Sequence, residues 1–342
     1  MMDTERSLLH PAVEAVAIAA TVTRAVQASR NDISQHAKDD RSPVTVADYA
    51  AQAIVAMVLA DRIQSAADRL VVGEEHAAAL RGDDHAAVRE AVVAVVRTWR
   101  PHASETDVLE AIDSCSHDGS AAAYWTLDPV DGTKGFLRGQ QYAIALGRIR
   151  HGQVTLGVLG CPNLPIDCNA SLTTPDAMGC GSLYAAARGE GAWEYPDASP
   201  DASPIRINCT AWTQDRPVRV CASVEAAHSS RSDTDTLLAS IDVRSDPVRL
   251  DSQAKYAVLA RGQADAYLRL PTSAEYREKI WDHAAGCIIA TEAGAVVTDI
   301  CGNPLDFGHG SRLEENRGII AAAAGLHPTL VEASRTMGLC PS

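Results

Sequence analysis

The sequence lacks the signatures of several common protein classes. It has no run of about 18 apolar residues, so we expect no transmembrane helix. It has no Walker loop, no dinucleotide-binding glycine motif, and no strong Ser-His-Asp or Cys-His pattern. These absences argue against a membrane-spanning protein, a P-loop or dinucleotide-binding enzyme, and a hydrolase with a nucleophilic triad.

Positive charge is also scarce. The 342 residues contain 30 Lys and Arg against 44 Asp and Glu, which leaves a formal net charge of −14. Such a field repels the phosphate backbone of nucleic acid and the anionic surface of a membrane. We therefore expect neither as a partner. The length predicts roughly two domains, each large enough to bury a core.

The nine cysteines form no C-x-x-C pair, which argues against a structural zinc site. They are scattered among apolar neighbours, a pattern typical of buried free thiols in a reducing compartment. The N-terminus has mixed charge and does not resemble a signal peptide. We expect a cytoplasmic protein, with an organelle left open.

The predicted secondary structure changes along the chain. The first hundred residues have apolar residues at helical spacing, most clearly in the segments 13–28, 47–59 and 85–99. Short β-type runs follow and predict two hairpins, formed by 142–149 with 154–159 and by 183–187 with 192–195. Strand and helix signals then alternate. We predict an N-terminal α+β domain over 1–212 and a C-terminal α/β domain over 213–342.

Two acidic segments precede the hairpins. The string SPVTVAD at 42–48 places Asp48 in the first turn of a predicted helix, where a carboxylate is also favoured by the helix dipole alone. The string LVVGEE at 70–75 ends a short strand in Glu74 and Glu75. Adjacent side chains of a strand point to opposite faces, so we expect only one of these two glutamates to face a given site.

Two further segments carry stronger signals. In DPVDGT at 128–133, a tight turn brings Asp128 and Asp131 together, and their repulsion calls for a cation between them. Gly132 and Thr133 then offer backbone N–H groups to a phosphate. In WDHAAG at 281–286, Asp282 falls in the first turn of a helix that ends at Gly294.

Carboxylates from separate elements that converge on divalent cations, beside donors for an anion, provide what metal-assisted phosphate hydrolysis requires. Hard oxygen ligands favour Mg²⁺, with Mn²⁺ as an alternative. The sequence therefore predicts a metal-dependent enzyme that acts on a phosphate ester.

These motifs resemble those of the lithium-sensitive, magnesium-dependent phosphatase superfamily that includes inositol monophosphatase and fructose-1,6-bisphosphatase. The resemblance implies a layered αβαβα sandwich, of mixed α+β and α/β character. Within the superfamily, longer strings are similar to the 3′(2′),5′-bisphosphate nucleotidases: SPVTVADY at 42–49, TKGFLRG at 133–139, DSQAKY at 251–256 and YLRLP at 267–271.

The resemblance implies two or three Mg²⁺ ions in the site. One ion would be held by Glu74, Asp128 and the Val130 carbonyl, and a second by Asp128, Asp131 and Asp282. Asp48 would lie near a third, weaker ion. By the same resemblance, Asp48 paired with the Thr133 hydroxyl would activate the attacking water.

The resemblance also assigns the substrate-binding residues. The turn 225–230 would present His228 to the substrate, and a second phosphate would be held by Ser252, Lys255 and Arg269. The implied reaction converts adenosine 3′,5′-bisphosphate to AMP and phosphate, with the sulfated analogue 3′-phosphoadenylyl sulfate as a second substrate.

Two alternatives stay open. An inositol monophosphatase or inositol polyphosphate 1-phosphatase would use the same metal ligands, and inositol 1,4-bisphosphate also has two separated phosphates. A non-catalytic nucleotide sensor would keep the fold but would not need a complete set of metal carboxylates. We expect a monomer whose partner is a small-molecule nucleotide bisphosphate.

Overall fold

The structure is a computed structural model that describes residues 2–29, 42–225, 229–243, 246–273 and 275–340. Within these residues the chain forms two β-sheets. The strands of the first sheet lie side by side in chain order: β1 (Val71–Gly73), β2 (Ala123–Asp131), β3 (Ala143–Arg150), β4 (Gln153–Cys161), β5 (Ser182–Ala187), β6 (Gly191–Tyr195) and β7 (Ile205–Ile207). β1 and β2 are parallel, and all later neighbours are antiparallel. Both predicted hairpins, β3–β4 and β5–β6, are confirmed.

The second sheet is mixed and has the order β11-β12-β10-β8-β9. Its strands are β8 (Val220–Ser223), β9 (Val248–Leu250), β10 (Ala266–Arg269), β11 (Ala295–Thr298) and β12 (Ile319–Ala323). β8 runs parallel to β9 and β10, whereas β12 is antiparallel to both of its neighbours. The predicted division near residue 213 falls between β7 and β8, where the chain passes from one sheet to the other.

Nine α-helices complete the described part of the chain: α1 (Met2–Ala28), α2 (Ser42–Arg62), α3 (Ala86–Trp99), α4 (Glu105–Asp113), α5 (Thr133–Arg138), α6 (Arg231–Ser240), α7 (Ala254–Ala260), α8 (Ala284–Glu292) and α9 (His327–Thr336).

Three apolar cores define five layers. Helices α1 to α4 pack on one face of the first sheet. Helices α7 and α8 fill the space between the two sheets. Helices α6 and α9 cover the far face of the second sheet. The result is an αβαβα sandwich, which confirms the predicted fold class. Because the middle layer touches both sheets, it can bring residues of both halves to one site.

Two helices are long and apolar enough to cross a membrane by length and composition, namely Glu5–Ala28 within α1 and Val44–Arg62 within α2. Neither helix is an uninterrupted apolar run, and one or two such helices are weak evidence of a membrane span, so the expectation of no transmembrane helix stays a prediction. The apolar windows of these helices are 56% and 83% buried inside the protein, respectively. Both helices belong to the first core, and buried core helices commonly pass this test.

Two helix boundaries differ from those predicted. α2 begins at Ser42, so Asp48 lies in its second turn and not in its first. Proline is tolerated in the first turn of a helix, which allows the start to precede Val44. α8 begins at Ala284, so Asp282 lies just before the helix and not in its first turn. Both aspartates therefore owe their positions to packing, because neither occupies the predicted first turn.

All nine cysteines are free thiols, as predicted. Their burial is less uniform than expected: Cys115, Cys161 and Cys221 are buried, Cys168 is exposed, and the other five are half-buried.

Candidate active site

Asp128 and Asp131 lie at the end of β2, on either side of an irregularity in the strand. The pairing with β3 shifts register between these two residues, and Val130 occupies the shifted segment. The Asp128 carboxylate accepts a hydrogen bond from the Val130 N–H at 3.2 Å, and the Asp131 carboxylate accepts one from the Gln253 N–H at 2.6 Å. A bulge redirects side chains that would otherwise alternate. The two carboxylates can therefore serve one site, as the DPVDGT motif predicts.

Glu74 reaches the same site because β1 is parallel to β2. Gly73 is paired with Leu127, so the carboxyl ends of both strands meet at one edge of the sheet. The Glu74 N–H donates to the Leu127 carbonyl at 3.3 Å. Gly73 is required at this point, because a Cβ atom there would lie 2.6 Å from the Gln52 side-chain oxygen.

Both Glu74 and Glu75 line the cavity, which contradicts the expectation that only one of them faces the site. The strand alternation behind that expectation stops at Gly73, where β1 ends. Beyond it, the Gln52 side chain of α2 holds the turn by donating to the Glu75 carbonyl at 2.7 Å and accepting from the Glu75 N–H at 3.1 Å.

The second half of the chain contributes Asp282 and the segment around Ser252. Gln253 links the two segments, because its side chain donates to the Trp281 carbonyl at 2.8 Å and accepts from the Gly286 N–H at 2.9 Å. Its own N–H bonds Asp131, so one buried glutamine joins both sheets at the site. The sequence analysis did not identify this residue, although it lies inside the DSQAKY string.

These elements enclose a cavity of about 570 Å³, a volume within the usual range for small-molecule sites. Its lining includes every described residue that was predicted to act in the site: Asp48, Glu74, Asp128, Val130, Asp131, Gly132, Thr133, Ser252, Lys255, Arg269 and Asp282. His228 was also predicted to act there, but it lies outside the described residues.

The carboxylates disfavour one another's ionisation. Burial, followed by Glu75 and Glu74, raises the pKa of Asp48 well above its ordinary value. Burial and then Glu74 do the same for the pKa of Asp128. Desolvation and the nearby charge of Asp282 raise the pKa values of Glu74 and Asp131 to about 7 each. The cluster holds more negative charge than its protein surroundings neutralise.

This donor set fits divalent cations. All of the side chains are carboxylates, which are the hard oxygen ligands that Mg²⁺ and Mn²⁺ prefer. A bound divalent cation would also remove the repulsion that raises the pKa values. The fit therefore rests on the chemistry of the ligands and on their convergence in one cavity.

A second acidic group, formed by Glu278, Asp282 and His283, has ligand atoms within 4.8 Å of one another. Arg269 already occupies it: its Nη2 lies 2.6 Å from Glu278 Oε2 and 3.4 Å from Asp282 Oδ2. A guanidinium between the carboxylates makes this group an ion-pair cluster. It is therefore less suited to a cation than the carboxylates that line the cavity.

Buried cations line the same cavity as the carboxylates. Lys255 is buried, and its Nζ donates to the Leu250 carbonyl at 3.0 Å and to the Ser252 carbonyl at 2.6 Å. Burial lowers the pKa of Lys255 to about 8, although Asp131 opposes this shift. Ser252 adopts a left-handed backbone conformation with φ 65°, an uncommon state for serine that turns the chain where it lines the cavity.

Ion pairs that the sequence analysis missed connect the two halves at the mouth of the cavity. Arg138 on α5 donates to Glu225 at 2.8 Å and to Asp251 at 2.6 Å. Lys134 also pairs with Glu225, at 2.8 Å. Residues 87 to 113 positions apart in sequence thereby meet at the rim. No local sequence pattern signals such a contact.

The sequence profile described as the inositol monophosphatase family matches residues 5–338. The fold and the carboxylate site agree with that match, and the chain belongs to this family. Enzymes of the family are generally metal-dependent and act on small-molecule phosphates.

Two curated relatives can be compared with this chain in sequence. The chain is 41% identical over 338 residues to a 3′(2′),5′-bisphosphate nucleotidase of Oryza sativa, covering 95% of this chain and 92% of the relative. It is 40% identical over 308 residues to a 3′(2′),5′-bisphosphate nucleotidase of Schizosaccharomyces pombe, covering 87% and 85%.

Solved structures support the fold. An inositol monophosphatase from Anabaena superposes with a TM-score of 0.61 at 18% identity, covering 100% of this chain and 98% of the other. Mycobacterium tuberculosis SuhB superposes with a TM-score of 0.58 at 22% identity, covering 95% and 94%. At these identities the likeness concerns the fold alone.

Proposed function

We propose that the protein is a metal-dependent 3′(2′),5′-bisphosphate nucleotidase that removes the 3′-phosphate of adenosine 3′,5′-bisphosphate and yields AMP and phosphate. The observation that carries the proposal is a single cavity lined both by a carboxylate cluster and by the buried cations Lys255 and Arg269. The carboxylates suit a phosphate under metal-assisted attack, and the cations suit a second, retained phosphate. The similarity to curated bisphosphate nucleotidases over most of the chain supports the same reaction.

In this proposal two or three Mg²⁺ ions, or Mn²⁺ ions, would bind among the carboxylates. Glu74, Asp128 and the Val130 carbonyl would hold one ion, and Asp128, Asp131 and Asp282 would hold another. Asp48 would lie near a further, weaker ion. Bound cations supply Lewis-acid stabilisation of the charge that develops on the phosphate and on the leaving oxygen.

The chain's own residues orient the reactants. The Thr133 Oγ1 positions the attacking water, and the Asp48 carboxylate accepts its proton. Asp48 suits this role because burial raises its pKa, which makes the carboxylate a stronger proton acceptor. The backbone N–H groups of Gly132 and Thr133 contact the phosphate under attack, since Gly132 caps α5 at the edge of the cavity.

The retained phosphate contacts Ser252, Lys255 and Arg269. Lys255 and Arg269 are buried beside the cavity, so their charge acts in a medium that screens little. His228 faces the nucleoside in this proposal. The same arrangement would accept 3′-phosphoadenylyl sulfate, whose sulfated 5′ end carries a similar negative charge.

One other substrate class deserves a direct comparison, because two separated phosphate sites also suit inositol 1,4-bisphosphate. The family match supports that alternative as an inositol polyphosphate 1-phosphatase or inositol monophosphatase. A sensor without activity is disfavoured by the presence of all five predicted carboxylates in one cavity. We further propose a monomeric cytoplasmic enzyme without nucleic-acid or membrane partners.

The test is phosphate release with Mg²⁺ from a panel of four substrates: adenosine 3′,5′-bisphosphate, inositol 1-phosphate, inositol 1,4-bisphosphate and fructose 1,6-bisphosphate. We expect the highest kcat/KM for the adenosine bisphosphate. A preference for either of the other bisphosphates would refute the substrate assignment, and no release from any of them would favour the sensor.

A further inference from the structure

Glu278 is a buried carboxylate with no role in the proposed reaction. It is 2% exposed and lies in the segment that leads into α8. Its Oε2 forms an ion pair with Arg269 Nη2 at 2.6 Å and lies 3.3 Å from His283 Nε2. A buried carboxylate destabilises a protein unless it is paired, so its partners explain how it is tolerated.

Arg269 stands between two carboxylates that compete for it. The same Nη2 lies 2.6 Å from Glu278 and 3.4 Å from Asp282. The Glu278 side chain is 2% exposed and the Asp282 side chain is 21% exposed. The shorter pair in the less polar surroundings is the stronger one. Arg269 is therefore held more tightly by Glu278, although its Nη2 also donates to Asp282 at 3.4 Å.

Glu278 is itself fixed in place. The His283 ring lies between Glu278 and the Tyr256 hydroxyl, which is 2.9 Å from His283 Nδ1. The Glu278 carbonyl accepts a hydrogen bond from the Leu313 N–H at 2.9 Å. Both rings are buried in the middle layer of the sandwich. The carboxylate thus has little freedom to follow Arg269 if the guanidinium moves.

We propose that Glu278 is a positioning residue that anchors Arg269 and so keeps the Asp282 carboxylate available to a divalent cation. The inference rests on the proposed function, since Asp282 is a cation ligand and Arg269 a phosphate contact only within it. Without the Glu278 charge, Arg269 would pair with Asp282, the other carboxylate within reach. The cation would then have to displace a guanidinium in order to bind.

Burial is the largest single influence and opposes ionisation of Glu278, but Arg269 and His283 together outweigh it and hold the pKa of Glu278 below its ordinary value. The carboxylate is thus charged at neutral pH, as an anchor for Arg269 must be. Arg269 Nε is buried without a hydrogen-bond partner among the described residues. The guanidinium therefore keeps a donor that its carboxylate partners do not use.

The experiment measures Mn²⁺ binding in the absence of substrate, by electron paramagnetic resonance of the free ion. Glu278→Gln keeps the shape of the side chain and removes its charge. We expect it to weaken Mn²⁺ binding by about 10- to 100-fold, the usual effect of losing a group that orients a metal ligand. Unchanged binding by a folded variant would overturn the proposal.

A double-mutant cycle with Arg269→Ala separates positioning from a general structural effect. Once Arg269 is absent, nothing remains to occupy Asp282. We therefore expect Glu278→Gln to change Mn²⁺ affinity less than about threefold in the Arg269→Ala background. An equal loss in both backgrounds would show that Glu278 acts on the fold and would overturn the proposal.

Asp265→Asn is the matched control. Asp265 is fully buried and pairs with Arg216 and Arg219 at 2.8 Å, but it precedes β10, whereas Arg269 ends that strand. This variant loses a buried carboxylate that pairs with arginine, as Glu278→Gln does, but it should keep its Mn²⁺ affinity. If Glu278→Gln does not fold, Glu278→Asp replaces it in the cycle, because its side chain is one methylene shorter and draws the carboxylate away from Arg269. Its Mn²⁺ affinity should then fall only when Arg269 is present, and a loss that persists without Arg269 would overturn the proposal.

Because the readout is ion binding without substrate, it remains informative if the nucleotidase activity proves to be wrong. Failure of the proposed function would appear as absent or altered phosphate release by the wild-type protein. Failure of the positioning role would appear as unchanged ion affinity in Glu278→Gln.

Discussion

Replacing Asp131 with asparagine should stabilise the metal-free protein while abolishing its function. Asp131 lies in the carboxylate cluster and accepts a short hydrogen bond from the Gln253 N–H. An asparagine oxygen can keep that hydrogen bond. The substitution therefore removes mainly the negative charge, and with it the repulsion from Asp282 and the cost of burying a carboxylate.

The magnitude follows from the pKa of Asp131, which rises from 3.8 to about 7. The folded protein then binds this proton more tightly than the unfolded chain does, so stability is lost as pH rises from about 4 to about 7. Above pH 7, the ionised Asp131 would lower the free energy of unfolding by about 4 kcal/mol. Solvent screening of this half-buried group reduces that figure to about 1–3 kcal/mol. We expect the variant to gain that amount at pH 8 and less than half of it at pH 5.

The assay is urea unfolding of chelator-treated protein at pH 5 and pH 8, repeated with Mg²⁺. With Mg²⁺ the order should reverse, because the wild-type site gains more binding energy. Phosphate release by the variant should fall by about 100-fold or more. Asp83→Asn, at an exposed carboxylate outside the cavity, should show none of these changes. A variant that is less stable than wild type at pH 8 without metal, or that gains equally at both pH values, would refute the reasoning.

Four further predictions address other parts of the account. Arg269→Ala should raise KM for adenosine 3′,5′-bisphosphate more than for a monophosphate, and equal effects on both would remove its assigned role. KM for the bisphosphate should rise above pH 8, because Lys255, whose pKa is about 8, loses its charge there; a pH profile that stays flat to pH 9.5 would contradict this. Lithium in the millimolar range or below should inhibit phosphate release, as the family resemblance implies, and insensitivity to lithium would weaken the assignment to a lithium-sensitive phosphatase. Gly135→Ala should destabilise the fold by about 2 kcal/mol or more in thermal or urea unfolding, because its Cβ would lie 2.1 Å from the Gln141 carbonyl; wild-type stability would show that α5 can shift.

The parts of the site that depend on local geometry could be predicted from the sequence. Asp128 and Asp131 are three residues apart, and the structure does bring them to one cavity. The order of helices and hairpins also followed from residue periodicity. Both signals act over a few residues, so no tertiary information is needed to interpret them.

The errors arose where a local rule stopped applying. Strand alternation could not decide between Glu74 and Glu75, because β1 ends one residue before them. The capping interpretation of Asp48 failed because α2 starts at Ser42, and the aspartate instead lies in a buried turn beside Glu74 and Glu75. In each case tertiary packing determined which way the side chain faces.

The residues that were missed act through distant partners. Gln253 joins Asp131 to Trp281, and Glu278 contacts Arg269 across the end of a strand. In sequence, Glu278 is simply an acid between two basic residues, a pattern typical of a solvated surface. Its proposed role depends on its burial, and that burial arises only when the second sheet and the segment before α8 pack together.

The most direct test of the central claim is to identify the nucleotide formed from adenosine 3′,5′-bisphosphate by the purified protein with Mg²⁺. Chromatography against authentic standards distinguishes adenosine 5′-monophosphate from adenosine 3′-monophosphate, and a phosphate assay of the same sample gives the stoichiometry. The account predicts the 5′-monophosphate with one phosphate released per nucleotide. The 3′-monophosphate as product, or no turnover while inositol phosphates are hydrolysed, would contradict it.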